Sequence, residues 1–303
     1  MAAAHYVYEA DAWIDIGDHV FPIDKYPRLF ELLQSELGVT AERIHGWDVV
    51  EDEDLERVHM PRYLADLAAV RQTDATLSSE LPVESRIIEG FRRMVGGSIA
   101  TTRLALEHGV GFHVGGGFHH AFPGHAEGFC FLHDMAIAVE WARAHEGLGN
   151  VLFVDVDVHQ GNGSAVIYAD DRETFTYSIH QERNYPIKQR SDLDRGLQDG
   201  VADDEYLERL SDDLDAIDQR FSPELICYVA GVDPHVQDVL GGLALSDSGI
   251  ARRDRLVLER YVSRDLPVAI FLAGGYSLCA EQTAILHLSA ARAAEAACQR
   301  DKD

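Results

Sequence analysis

The sequence predicts an α/β protein in which one mainly parallel sheet carries helices on both faces. Three observations predict it. Apolar runs of strand length alternate with helical patterns through the later two thirds of the 303-residue chain. Such runs suit strands covered on both sides. Four of them lead into polar and glycine-rich clusters, where open α/β sheets form their sites. No Pro/Gly/Ser-rich linker, low-complexity segment or internal repeat divides the chain, so residues 1–303 are expected to form a single domain.

The elements follow in order. Residues 26–37 place Leu29, Phe30, Leu33 and Leu37 at helical spacing, and 52–58 with 61–70 read as two short helices around a proline break. Residues 83–108 form a long helix on the spacing of Ile87, Phe91, Met94, Val95, Ile99 and Leu104, stopped by Gly109. Gly96 and Gly97 weaken that helix, which points to a neighbour packed closely there. Strands are then expected at 110–114, 151–158, 173–179, 225–230 and 268–273, and helices at 134–145, 204–221, 250–262 and 281–297. The helix from Asp204 is the clearest, with Leu207, Leu210, Leu214 and Ile217 on one stripe and acids in its first turn.

Charge narrows the partners. With 52 acidic against 26 basic residues the net charge is −26, and Lys25, Lys188 and Lys302 are the only lysines. Nucleic acid and anionic membrane are therefore excluded as expected partners. A lysine-bearing peptide or a polyamine would be drawn in, although salt screens that pull beyond about 10 Å. An acidic, lysine-poor surface adapted to a salty cytoplasm has the same composition. Cys130, Cys227, Cys279 and Cys298 form no CxxC pair, which indicates neither a disulfide framework nor a thiolate zinc site. The N-terminal MAAAHYVYEADAW lacks a basic region followed by an apolar run, and no apolar stretch approaches the roughly 20 residues of a membrane span, so a soluble, cytoplasmic protein is expected.

The chemistry concentrates in NVLFVDVDVHQGNG (150–163). In an extended strand alternate side chains share a face at roughly 6.6 Å spacing, which would aim Asp155, Asp157 and His159 one way and Val154, Val156 and Val158 the other. Two carboxylates and an imidazole on one edge call for a cation; otherwise they cap the next helix or pair with arginines. Asp157 and His159 with Asp233, at the end of the 225–230 strand, make three ligands for one zinc or ferrous ion and leave room for water and substrate. Asp155, one repeat further back, suits a hydrogen bond that fixes a histidine. His119 and His120 follow three glycines and could take a proton from water and return one to a leaving amine, whereas a lone histidine is more often a packed residue. Tyr276, after two glycines, could donate to a developing oxyanion, although GGY also occurs in ordinary turns. Phe129 after Gly128, and Tyr185 before Pro186, could wall a narrow apolar channel or simply pack.

Four motifs in order, HVGGGFHHAFPGHAEGFC (113–130), VDVDVHQGNG (154–163), AGVDPHVQDVLGGLALS (230–246) and LAGGYS (272–277), resemble the zinc-dependent histone deacetylase superfamily, above all class IV and its bacterial relatives. The resemblance runs from EDLERVHMPRYLADL (53–67) to Tyr276, most of the chain. It implies an arginase/deacetylase-type fold with an eight-stranded parallel sheet. It implies zinc on Asp157, His159 and Asp233, His120 as general base and acid, His119 as its electrostatic partner held by Asp155, and Tyr276 as oxyanion donor. Gly128, Phe129 and Tyr185 would line an acyl-lysine tunnel, and a potassium ion would sit at Asp155, Asp157, His159 and Ser178. Many class I enzymes carry Asp where this chain has Asn162, the residue expected to orient His120; class IV members resemble this chain in HQGNG. A neutral amide raises an imidazole pKa less than a carboxylate does. The loop carboxylate that grips substrate backbone in class I enzymes has no clear match before Leu81, so the resemblance does not extend to peptide selectivity or to histones as the substrate.

The expected protein is a metal-dependent deacylase acting on N-acyl-lysine in a protein or peptide. Its nearest alternative hydrolyses acetylpolyamines or other small acyl amines, which the acidic charge favours. An arginase-like binuclear manganese hydrolase and a catalytically silent acyl-lysine reader are the other readings.

Overall fold

The computed structural model describes residues 3–10, 16–17 and 19–299. In chain order the elements are β1 (His5–Val7), α1 (Lys25–Leu37), β2 (Ile44–His45), α2 (Asp52–Glu56), α3 (Pro61–Ala68), α4 (Asp74–Leu77), α5 (Ser85–His108), β3 (Val110–His113), α6 (Asp134–Glu146) and β4 (Val151–Asp155). There follow α7 (Asn162–Ile167), β5 (Thr174–Gln181), β6 (Leu193–Leu197), α8 (Asp203–Asp218), β7 (Leu225–Val229), α9 (Asp247–Val262), β8 (Val268–Phe271) and α10 (Ala280–Gln299). The eight strands form one sheet in the order β2-β1-β3-β8-β7-β4-β5-β6, and every pairing is parallel.

Alternation along the central strands divides most of the core between two layers. Leu152, Val154, Ile226, Tyr228 and Ile270 join a cluster with Leu29 and Leu33 of α1, Leu210 and Leu214 of α8, and Val257 of α9. Phe153, Cys227, Val229 and Phe271 face the other way, onto Met135, Ala136 and Val139 of α6 and Ala105 of α5. Buried on both faces, these strands have no polar side to show. The helix ends agree with their sequence: Ser246 caps α9 by accepting from the Gly249 N–H at 3.1 Å, and Asp203, Asp204 and Glu205 occupy the first turn of α8. A Cβ on Gly96 would lie 2.3 Å from the Asp48 carbonyl and one on Gly97 2.5 Å from His113 Nε2, so both glycines of α5 admit a close neighbour. Among the described residues no helix is long and apolar enough to cross a membrane.

The five strands expected from the sequence are the five contiguous central ones, β3-β8-β7-β4-β5. Those it did not suggest, β2, β1 and β6, flank these five, and the first two span two and three residues, too short to show a period. One expected strand needs correction. The run 151–158 ends as a strand at Asp155, so Asp157 and His159 lie in the connection after β4 and share no strand face.

Candidate active site

The four central strands β3, β8, β7 and β4 all end at the same edge and hand the chain to His119 and His120, Tyr276, Asp233, and Asp157 with His159 respectively. That is the crevice beyond the carboxyl ends of a parallel sheet. Beyond Asp155 the polar side chains shape the backbone. Asp155 Oδ1 accepts from the Asp157 N–H at 3.1 Å and Asp157 Oδ1 from the His159 N–H at 2.9 Å, two successive turns closed by an aspartate onto the amide two residues on. Asp233 Oδ1 reaches across to the Val158 N–H at 2.8 Å. The convergence of Asp157, His159 and Asp233 is thus a product of these turns.

One ligand atom from each of Asp157, His159 and Asp233 lies within 4.8 Å of the others, and all three residues are buried. His159 Nδ1 stands 3.2 Å from Asp157 Oδ1 and 3.2 Å from Asp233 Oδ2. A tetrahedral ion with bonds of about 2.0 Å sets its ligand atoms about 3.3 Å apart, so the donor set fits a divalent ion whose charge two carboxylates balance. The group attracts positive charge. Burial opposes a charge on His159, yet its bonds to Asp157 and Asp233 raise its pKa to about 10. Burial, then the charge of Asp157, lifts Asp233 to about 7.

The two histidines are held differently. His119 Nδ1 lies 2.7 Å from Asp155 Oδ2; burial alone would lower its pKa, but Asp155 and Asp157 outweigh that and lift it to about 9. His120 Nδ1 lies 2.7 Å from Asn162 Oδ1, and burial, followed by the nearby His119 and His159, pushes it well below the usual imidazole value. Their rings are 4.1 Å apart, and the His120 ring is 6.0 Å from that of His159. The Tyr276 ring stands 6.3 Å from His159 and 6.0 Å from Phe129, and the Tyr185 ring 5.3 Å from His120. Gly128 has φ +50°, and a Cβ there would come within 2.5 Å of His120 and 2.8 Å of the Tyr185 hydroxyl. Ser178 pairs in register with Asp155, and its hydroxyl lies 2.9 Å from His180 Nδ1.

Above these groups opens a cleft of about 250 Å³ lined by His120, Phe129, His159, Tyr185, Leu240 and Glu80. Glu80 is a rim carboxylate that the sequence did not single out. Other supports were equally invisible. Asp134, at the start of α6, accepts from the Gly117 and Phe118 N–H groups at 3.0 and 2.8 Å and so holds the loop that carries both histidines. Asp238 accepts from the Tyr276 N–H at 2.6 Å. Arg253 of α9, fully buried beside Asp254, donates to the Gly231 carbonyl at 2.6 Å and the Val156 carbonyl at 3.4 Å, joining the two loops that carry the metal-binding candidates. Lys25 is also fully buried, donating to the Ala273 carbonyl at 2.7 Å, with its Nζ 5.9 Å from the Tyr276 ring. Burial lowers its pKa to about 8 against the pull of Asp233, Asp157 and Asp238. Each of these partners is remote in sequence, which left no spacing to read.

Known proteins resemble this chain in sequence and in fold. A model of the histone deacetylase domain matches residues 19–291. An uncharacterised protein of Picosynechococcus sp. is 41% identical over 274 residues, covering 89% of this chain and 91% of that one. Histone deacetylase 2 of Arabidopsis thaliana is 30% identical, covering 85% and 70%, and a histone deacetylase-like amidohydrolase of Pseudomonas aeruginosa is 30% identical, covering 79% and 68%. A crystal structure of an HDAC homologue from Aquifex aeolicus superposes with a TM-score of 0.81 at 21% identity, over 95% of this chain and 84% of that one, a likeness of fold. A family model that spans nearly the whole chain, and relatives at 30% identity or above over most of their length, make this chain a member of the histone deacetylase domain family.

Proposed function

We propose that the protein is a zinc-dependent N-acyl-lysine deacylase of the class IV and bacterial type, working in the cytoplasm as a single catalytic domain over residues 1–303. The observation that carries this reading is the buried Asp157, His159 and Asp233 group at the base of a cleft, with the paired His119 and His120 and the ring of Tyr276 around it. The divalent ion those three residues would hold, zinc or ferrous iron, supplies Lewis acidity to the substrate amide and to water.

The side chains supply the rest. His120 takes a proton from the attacking water on Nε2, the nitrogen not engaged with Asn162, and later gives it to the departing amine. Its depressed pKa suits the first task, since the ring is unprotonated before reaction. His119, bonded to Asp155, contributes positive charge beside it. The Tyr276 hydroxyl donates to the oxyanion as the carbonyl becomes tetrahedral. Gly128, Phe129 and Tyr185 wall the path of the acyl-lysine side chain, and Glu80 on the rim is suited to accept from substrate backbone N–H groups. A structural potassium at Asp155, Asp157, His159 and Ser178 belongs to the same reading, with the Ser178 hydroxyl already engaged by His180.

A second reading, acetylpolyamine hydrolysis, draws on the net charge of −26 and on Glu80 at the mouth. A panel of acetyl-lysine peptides, fatty-acyl-lysine peptides and acetylpolyamines on zinc- and iron-reconstituted protein tests both. The first reading expects the highest kcat/KM on an acyl-lysine peptide, and a preference for acetylpolyamines would replace it with the second. Binding of the peptides without turnover by any metal-loaded form would mark a silent reader.

A further inference from the structure

Asn162, the first residue of α7, is buried and has hydrogen bonds at both ends of its amide. Its Oδ1 lies 2.7 Å from His120 Nδ1 and accepts from the Gly163 N–H at 3.1 Å, while its Nδ2 donates to Glu127 Oε1 at 2.6 Å. An amide can face an imidazole with either its oxygen or its NH2. Here both ends are dictated from outside, because a backbone N–H requires the oxygen and a carboxylate requires the NH2. With the oxygen turned to His120, only a protonated Nδ1 makes that hydrogen bond, and Nε2 keeps the lone pair that a base needs. Turned over, the amide would draw the proton to Nε2 and remove the base.

From this geometry we infer that Glu127 is a positioning residue for the base: acting through Asn162, it fixes which nitrogen of His120 carries the proton, and ties that choice to the tunnel wall. The inference rests on the hydrolase reading and adds a residue to it. Glu127 does at one remove what a carboxylate at position 162 would do by direct contact. Its own place is secured by a tight turn in which its N–H donates to the Cys130 carbonyl at 3.1 Å and the Cys130 N–H donates back at 2.9 Å. The link to the wall is the Tyr185 hydroxyl, which donates to the same Oε1 at 3.2 Å while its ring stands edge-on to His120. The second oxygen, Oε2, lies 3.4 Å from His125 Nε2.

The test compares Glu127→Met, which fills similar volume without an acceptor, with Glu127→Gln, which keeps an acceptor oxygen. In metal-loaded enzyme with an acyl-lysine peptide, E127M is expected to lower kcat about tenfold or more with KM nearly unchanged, and E127Q to recover most of that loss. In an Asn162→Asp background, where the group facing His120 has no donor end to turn, E127M should cost little further. Nitrogen-15 NMR of the imidazoles reads the same point without turnover: the His120 proton is expected on Nδ1 in the wild type and displaced toward Nε2 in E127M. An unchanged kcat in E127M, equal losses in E127M and E127Q, or one tautomer in both wild type and E127M overturns the proposal. A wild type that hydrolyses no acyl amine, together with a tautomer that shifts in E127M, would sink the hydrolase reading and leave the positioning role standing.

Discussion

At the floor of the cleft Asp155, Asp157, Asp233 and Asn162 are each at most 3% exposed and each hydrogen-bonded to two or more groups, whereas at its rim Tyr185 is 40% exposed, and Ile187 and Leu278, two residues along the chain from Tyr185 and Tyr276, are 85% and 94% exposed. The same loops build both. Asp233 is followed by exposed Val236 and Val239, and Tyr276 by Leu278. A buried polar group left without its partner costs free energy, so floor residues depend on one another, while the rim can change its apolar contacts freely. The difference separates interlocked buried polar groups from exposed apolar ones along a few residues of chain.

The floor should break hardest from below. Arg253→Met leaves Asp254 buried without its cation and removes the donor that bridges the Gly231 and Val156 carbonyls, and is expected to lower stability by about 3–5 kcal/mol in urea unfolding. A loss within experimental error would mean that packing alone joins the two metal-binding loops.

The next effect is a dependence on pH. His59 braces the histidine loop, with Nδ1 3.0 Å from the Phe122 carbonyl and Nε2 accepting from the His133 N–H at 3.0 Å. Burial lowers its pKa from 6.5 to about 4. The unfolded chain therefore takes up this proton first as the pH falls. The stabilisation is complete above about pH 6.5, declines between there and about pH 4, and is level below that, amounting to about 3 kcal/mol. His59→Gln, which cannot take on charge, should flatten the stability profile by about one proton across that window. An identical slope in the variant would assign the acid sensitivity to other groups.

Tyr276→Phe sharpens the contrast within the floor, since it removes a hydroxyl and no ligand. Turnover should fall by roughly 10²-fold while the metal content per chain stays constant. Loss of metal would make the tyrosine a structural support. The smallest effect belongs to the exposed residues that follow the floor: Leu278→Ser should leave stability within about 0.5 kcal/mol, with any kinetic change confined to KM. A fall in kcat equal to that of a floor variant would erase the distinction between the two regions.

The legible part of the fold was its centre. Strands β4, β7 and β8 are buried on both faces and so are written as apolar runs, and β5, equally buried, alternates Phe175, Tyr177 and Ile179 with Thr174, Thr176, Ser178 and His180; β1 and β2 are too short to show a period, and β6, at the far edge, is only partly buried and shows no apolar run. The polar residues at the ends of the central runs do come together, but not by the route their spacing suggested. Alternation would have put Asp155, Asp157 and His159 on one strand face; the strand stops at Asp155, and turns closed by the aspartates bring Asp157 and His159 to Asp233.

By itself the sequence determined the α/β class, the central strands and the strand ends where chemistry gathers, because burial on a regular backbone leaves a local period of apolar residues. Only the tertiary structure decided that Glu127 would reach Asn162, that Lys25 would lie buried beside Tyr276, and that Arg253 would join two loops from a helix behind them. A buried polar side chain is satisfied by whichever group the fold brings within about 3 Å, and that partner has no fixed distance along the chain.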